Sequence, residues 1–396
     1  MKNASCHLAL EDGTVFIGEH FGAEGTAEGE VVFNTAMSGY QEILTDPSYC
    51  GQIVAMTMPL IGNYGINADD IESLPRKTAR EAGGSSSMTA ARSATAPVSA
   101  LHLSGFVVRE LARRHSNHRA TGDLHEYLRE AGVIGLAGID TRALTRRLRD
   151  RGSQRGVIST ETADPVALVE MARAAAPMEG LQLVERVMPE GEMLYEPAEG
   201  ARSHAASDTA YHVVAIDCGI KQNILRRLIA SGCSVRVVPP TADAEAILRT
   251  RPDGLLVGNG PGDPATVTDA IDTLRRLIGR LPIFGICLGN QLLALALRAK
   301  TYKLKFGHHG ANHPVLNLDT GRVEITSQNH GFAVDIASLE SVGGRMTHIN
   351  LYDRSLEGFS HASKRVFAVQ YHPESAPGPH DSHYLFEQFV AMMGTN

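Results

Sequence analysis

Cys287, His372 and Glu374 are a nucleophile, a base and an acid in an order that suits acyl chemistry. Cys287 lies in Leu281-Pro-Ile-Phe-Gly-Ile-Cys-Leu-Gly-Asn-Gln-Leu-Leu293, an apolar strand-like run followed by a glycine-flanked cysteine and a helix-like run. A Gly-x-Cys-x-Gly turn at such a junction lifts a thiol to the carboxyl edge of a sheet. The glycines are expected to permit the sharp bend, and the helix N-terminus beneath favours negative charge on sulfur. A free thiol, with a pKa near ~8.5, is mostly protonated at neutral pH and needs a base. His372 closes a second strand-like run, Val366-Phe-Ala-Val-Gln-Tyr-His372, and is followed by Pro373 and Glu374. Proline disfavours helix at the preceding residue and is expected to hold the chain extended there, so imidazole and carboxylate point the same way. A carboxylate so placed fixes the ring tautomer and stabilises its cation. Two readings compete: a buried cysteine at a tight turn, and a His-x-Glu metal pair. No third ligand accompanies that pair, and the thiol accounts for it better.

A third element is Gly258-Asn-Gly-Pro-Gly-Asp-Pro264, which follows another strand-like run. It fits neither dinucleotide-binding nor P-loop spacing. A loop this rich in glycine brings backbone N–H groups close to a ligand, which suits an oxyanion hole. The alternative is a plain strand-to-helix turn.

These segments belong to a region that alternates short β-rich runs with helical ones. Val213–Asp217, Ser234–Val238, Gly254–Gly258 and Leu281–Ile286 are separated by patterns such as Ile220–Ile229. That rhythm predicts an α/β fold with a doubly wound, mostly parallel sheet over 211–396, its functional loops at the carboxyl ends of strands. Residues 1–160 read as a separate mixed α/β domain, with strands such as Glu30–Asn34 and a helix over Asp140–Gly152. That helix is capped by Asp140 or Thr141 and stopped by Gly152. Residues 161–210 read as a connecting region. The Ala-, Ser-, Thr- and Gly-rich stretch over 76–100 is expected to be a flexible surface loop.

Composition narrows the class of protein. The 396 residues are 43% hydrophobic and 20% charged, with a net charge of −7, which argues against nucleic acid or an anionic membrane as the main partner. No run has signal-peptide or membrane-span character. Five widely spaced cysteines without a Cys-x-x-Cys pair suit reduced thiols in the cytoplasm.

Taken together, Gly285-Ile-Cys-Leu-Gly-Asn-Gln291, Asn259-Gly-Pro-Gly-Asp-Pro264 and His372-Pro-Glu374 resemble class I, triad-type glutamine amidotransferases. Three further segments are similar to the small, glutaminase subunits of carbamoyl-phosphate synthetases. They are Phe33–Tyr49, Lys305-Phe-Gly-His-His-Gly310 with Asn312-His-Pro314, and Ser327–Val334. The resemblance covers nearly the whole chain. It implies that Cys287 attacks the carboxamide of glutamine to give a thioester, with His372 as acid–base group and Glu374 orienting it. It places an oxyanion hole at the N–H groups of Leu288 and Gly260, and a glutamine site at Ser48, Gly260, Gly262, Leu288, Gln291, Asn329, Gly331 and Phe332. It further implies no metal or cofactor in this chain. A large-subunit partner would use bicarbonate and ATP with Mg²⁺ to make carbamoyl phosphate for arginine and pyrimidine synthesis, and the state of assembly beyond the heterodimer stays open. The chain departs from the family at Asn290, where histidine is common, and in the length of the 76–100 stretch. The amidotransferase component of an anthranilate or GMP synthetase, and a scaffold without catalysis, are the alternatives.

Overall fold

The computed structural model describes residues 5–74, 101–196 and 211–394; the loop expected over 76–100 lies outside them. Seven strands close an N-terminal barrel in the order Ser5–Leu10, Val15–Gly22, Ile134–Ala137, Gly105–Val107, Gln52–Met56, Thr26–Asn34 and Gln154–Ser159. The last pairs antiparallel with the first, and also with Thr26–Asn34. The helix expected after Asp140 spans Thr141–Arg151. The Asp140 carboxylate accepts the Ala143 N–H, and Gly152 ends the helix at a φ of 101°. Within the stretch read as connecting, the helix Pro165–Ala174 packs Leu168, Val169 and Ala172 on the barrel residues Ala9 and Val157. The strand Met193–Tyr195 joins the edge of the second domain's sheet.

That second sheet has ten strands. Its core is five parallel neighbours in the order Cys233–Val238, Tyr211–Ile216, Gly254–Val257, Ile283–Ile286 and Val366–Val369. Successive residues of these strands face opposite ways, and both faces are covered. Val214 and Ile216 point into one core, Val213 and Ala215 into the other. This is why the strands read as continuous apolar runs rather than alternating ones. On one face Phe284 stacks on Phe367, with ring centroids 4.4 Å apart, beneath Phe386 and Phe389 of the helix Tyr384–Met393. The sheet continues past Val366–Val369 as antiparallel strands Leu356–His361, Arg345–Asn350, Thr301–Asn317 and Val323–Val334. This extension makes part of the contact with the barrel. Lys303 forms an ion pair with Glu30 at 2.7 Å, and the Thr35 N–H donates to the His309 carbonyl at 3.1 Å.

Candidate active site

Four adjacent parallel strands end at one edge, and each delivers one part of the site. Tyr211–Ile216 leads to Lys221, Gly254–Val257 to Gly260, Ile283–Ile286 to Cys287, and Val366–Val369 to His372 and Glu374. Loops at the carboxyl ends of adjacent parallel strands converge by construction, which is why residues so distant in sequence meet.

Cys287 stands between its strand and the helix Leu288–Ala296 with φ 56° and ψ −106°. A side chain at positive φ is strained, and the strain falls on the cysteine itself. The flanking glycines do not supply the bend expected of them, since neither has a positive φ. They permit close packing instead. A Cβ at Gly289 would lie 2.1 Å from the Val257 carbonyl oxygen, and one at Gly285 2.5 Å from Leu293 Cδ1. The thiol is buried and donates to the main-chain carbonyl of Asn329 at 3.5 Å.

His372 and Glu374 meet through Nδ1 and Oε1 at 2.7 Å. The chain between them is a turn, closed by the Ser375 N–H on the His372 carbonyl, and not the extended segment expected from Pro373. The turn folds the two side chains together where an extended chain would have set them side by side. His372 Nε2 makes no well-aligned hydrogen bond among the described residues, and the ring interacts with the Cys287 thiol. Burial alone would depress the imidazole's pKa, but the Glu374 charge and the Cys287 thiol outweigh that and raise it, against the opposing charge of Lys221. Glu374 is driven the other way. Burial disfavours its charge, yet Lys221 and His372 hold it well below the usual carboxylate range.

Lys221 was not among the residues singled out in the sequence, where it reads as part of a helix. The helix begins at Gln222 and leaves Lys221 at its cap, fully buried, with Nζ 2.6 Å from Glu374 Oε1 and 2.7 Å from the Ala376 carbonyl. Its place at the end of a parallel strand, like that of Gly260 and Cys287, is the signal that could have found it.

Of the residues expected at a glutamine site, Ser48, Gly260, Gly262, Gln291, Asn329, Gly331 and Phe332 line one cavity with Cys287. Leu288 lies just behind the nucleophile as the first residue of its helix, a position whose N–H has no partner within the helix. Gly260 approaches so closely that a Cβ would fall 2.3 Å from the Cys218 carbonyl oxygen. Gln291 is held by the Phe332 carbonyl at 2.9 Å and by Gln370 Oε1 at 3.1 Å. Asn290, the departure from the family pattern, is buried facing away and donates to the same Gln370 oxygen at 3.1 Å.

Ser48 comes from the barrel domain, on the 3₁₀ turn Pro47–Tyr49 that Asp46 caps. Its Oγ accepts from Asn259 Nδ2 at 2.9 Å, so the cavity is closed by both domains. Gln52, Met178 and His309 also line it. His309 falls within the Lys305–Gly310 segment without being singled out as a site residue, and nothing in the local sequence marked Gln52 or Met178.

A thiol on a strained turn, an imidazole braced by a carboxylate, and main-chain N–H groups on the same edge form an acyl-transfer site. Comparison with known proteins agrees. Residues 8–158 match the family model described as carbamoyl-phosphate synthase small chain, CPSase domain, and residues 214–392 match that for class-I glutamine amidotransferases. The chain is 50% identical over 394 residues to the carbamoyl phosphate synthase small chain of Syntrophotalea carbinolica, covering 98% of both. It is 51% identical over 399 residues to that of Chlorobaculum tepidum, covering 99% of both. The Aquifex aeolicus small chain is 49% identical over 391 residues, 97% of this chain and 98% of that one.

Proposed function

The chain belongs to the carbamoyl-phosphate synthase small-chain family, the glutamine-hydrolysing subunits of that enzyme, and on that premise we propose that Cys287, His372 and Glu374 are its catalytic triad. The observation that carries this assignment is the meeting of Cys287 with the 2.7 Å His372–Glu374 pair at one sheet edge.

Glutamine enters the cavity bounded by Ser48, Gln291 and Phe332. Cys287 Sγ attacks the carboxamide carbon and its proton passes to His372 Nε2. The carbonyl electrons move onto oxygen, which the N–H groups of Leu288 and Gly260 stabilise, one such donor contributing about 3 kcal/mol to lowering the barrier. As the intermediate collapses the C–N bond breaks, His372 protonates the departing nitrogen, and a γ-glutamyl thioester remains. His372 then takes a proton from water, the hydroxide adds to the thioester, the C–S bond breaks, and glutamate leaves with the sulfur reprotonated. Glu374 keeps the imidazole in one tautomer and stabilises its cation throughout, and Lys221 holds Glu374 ionised.

Ammonia passes to the large subunit for synthesis of carbamoyl phosphate. A second small cavity lined by Lys221, His372, Asn329 and Pro377 shares Asn329 with the first and is the exit we propose for ammonia. ATP, Mg²⁺ and bicarbonate are used on the large subunit, and this chain needs no cofactor of its own. The two form a heterodimer that works in the cytoplasm; none of the five cysteines is in a disulfide, and no helix among the described residues is long and apolar enough to cross a membrane. The barrel domain over 1–160 both completes the glutamine site and serves subunit interaction.

The test is acid quenching of the complex during turnover of glutamine, followed by peptide mass spectrometry. A γ-glutamyl adduct on Cys287 is expected. Its accumulation on another residue would refute the assignment.

A further inference from the structure

Asn329 has two separate tasks. Its main-chain carbonyl accepts the Cys287 thiol at 3.5 Å, and its side-chain amide forms part of the cavity wall. An asparagine amide is nearly symmetric in shape, with oxygen and nitrogen interchangeable sterically, so only its partners decide which end faces which way. Here the partners lie at both ends. Asn329 Nδ2 donates to Asp46 Oδ2 at 2.9 Å, and Asn329 Oδ1 lies 3.0 Å from His309 Nδ1.

Asp46 is buried at the domain junction, and its other oxygen accepts the Ser48 N–H at 2.9 Å. An ionised carboxylate only accepts, so the nitrogen end of Asn329 must face Asp46 and the oxygen end must face His309. His309 then carries its proton on Nδ1. Two further observations agree with that tautomer. Among the described residues Nε2 is buried without a hydrogen-bond partner, and burial lowers the ring's pKa to about 3, with the nearby Lys303 charge adding to that effect, so the imidazole is neutral. The ring is held in place as well. It packs beside Tyr49 with centroids 6.0 Å apart, and against Gly307, where a Cβ would fall 2.6 Å from Nε2.

We propose that His309 and Asp46 are positioning residues for glutamine recognition: neutral His309 donates to Asn329 Oδ1, Asp46 receives its Nδ2, and together they fix the orientation of the Asn329 amide. Asp46 thereby links the two substrate contacts it touches, Ser48 in one domain and Asn329 in the other. Correct seating of the barrel on the amidotransferase domain is thus part of substrate recognition. The proposal rests on the reading of this cavity as the glutamine site.

The experiment is steady-state glutaminase kinetics of the reconstituted complex carrying His309→Leu, His309→Gln or Asp46→Asn, with thermal melts of each. Leucine removes the donor. Glutamine restores one, and asparagine at position 46 leaves either Ser48 N–H or Asn329 Nδ2 without its acceptor. The KM for glutamine is expected to rise about tenfold in His309→Leu and Asp46→Asn, with kcat changed far less, the size expected for one lost orienting hydrogen bond. His309→Gln is expected to recover most of the affinity. Unchanged KM in His309→Leu and Asp46→Asn, or equal loss of kcat in all three, overturns the proposal. If His309→Leu does not fold, Asp46→Asn and the comparison of His309→Gln with the unsubstituted complex decide it alone. Failure of the unsubstituted complex to hydrolyse glutamine would instead overturn the reading of the cavity.

Discussion

Lys221 Nζ lies 2.6 Å from Glu374 Oε1, and both groups are buried. His372 shares that same carboxylate oxygen through Nδ1. The charges are therefore coupled: a buried carboxylate that must stay ionised to brace an imidazole is itself held ionised by a buried ammonium. Removing one partner of such a pair leaves an uncompensated charge in a poorly solvated place, which costs far more than the pair contributes.

Lys221→Met is accordingly expected to destabilise the protein by about 3 kcal/mol or more. It should also lower glutaminase kcat, because Glu374 would lose the larger of the two charges that hold it ionised. Adding Glu374→Gln to that variant should recover stability without recovering activity. Urea unfolding midpoints read beside glutaminase rates check both halves. A Lys221→Met protein as stable as the unsubstituted one would show that the ion pair is not what holds Glu374.

Cys287→Ser should abolish glutamine-dependent carbamoyl phosphate synthesis by the complex, while synthesis from added ammonia continues. The hydroxyl is a much poorer nucleophile in a site built around a thiol, but nothing on the ammonia-using partner changes. Assaying one preparation with glutamine and then with ammonium chloride separates the two. Equal loss with both substrates would place Cys287 in folding or assembly rather than in chemistry.

Gly260→Ala puts a methyl group where the Cys218 carbonyl oxygen leaves 2.3 Å, so the loop must move and take its N–H with it. Loss of one oxyanion donor lowers kcat about a hundredfold to a thousandfold. Single-turnover rates with glutamine should show that loss with the fold intact by circular dichroism.

His308 provides a pH test away from the reaction. Burial would lower its pKa, but Asp353 at 2.9 Å and Glu357 at 3.5 Å raise it to about 9. An unfolded histidine titrates near ~6.5, so the stabilisation from the charged ring is complete below that pH and is lost as pH rises through about 9. The stability gap between the unsubstituted protein and His308→Gln should be constant from about pH 5.5 to 6.5 and close progressively above it. Chemical denaturation across that range measures it, and a gap that widened with pH would reverse the assignment of charge.

Much of this was legible because the relevant physics is local. The strand-like runs before Gly258, Cys287 and His372 are apolar on both faces, as strands of a sheet covered on both sides must be. Asp140 and Gly152 bound their helix by capping chemistry that needs only neighbours in sequence. Where local reasoning failed, a long-range constraint had prevailed. The glycines beside Cys287 were expected to make the bend, but Gly285 and Gly289 are small because Leu293 and Val257 press on them, and the cysteine takes the positive φ itself. Pro373 was expected to keep the chain extended, but closure of the Ser375 N–H on His372 turned it.

The order of Cys287, His372 and Glu374 along the chain, and the β/α rhythm around them, pointed to acyl-transfer chemistry and to the sheet edge on which the three groups lie. The tertiary structure alone decided what surrounds those groups. It brought Lys221 to Glu374 across more than a hundred residues, and it set Asp46 of the barrel against Asn329 of the other domain. Hydrophobic periodicity specifies which face of an element is buried but not which polar group waits there, because a buried charge or amide is tolerated only where its partner arrives from another part of the chain.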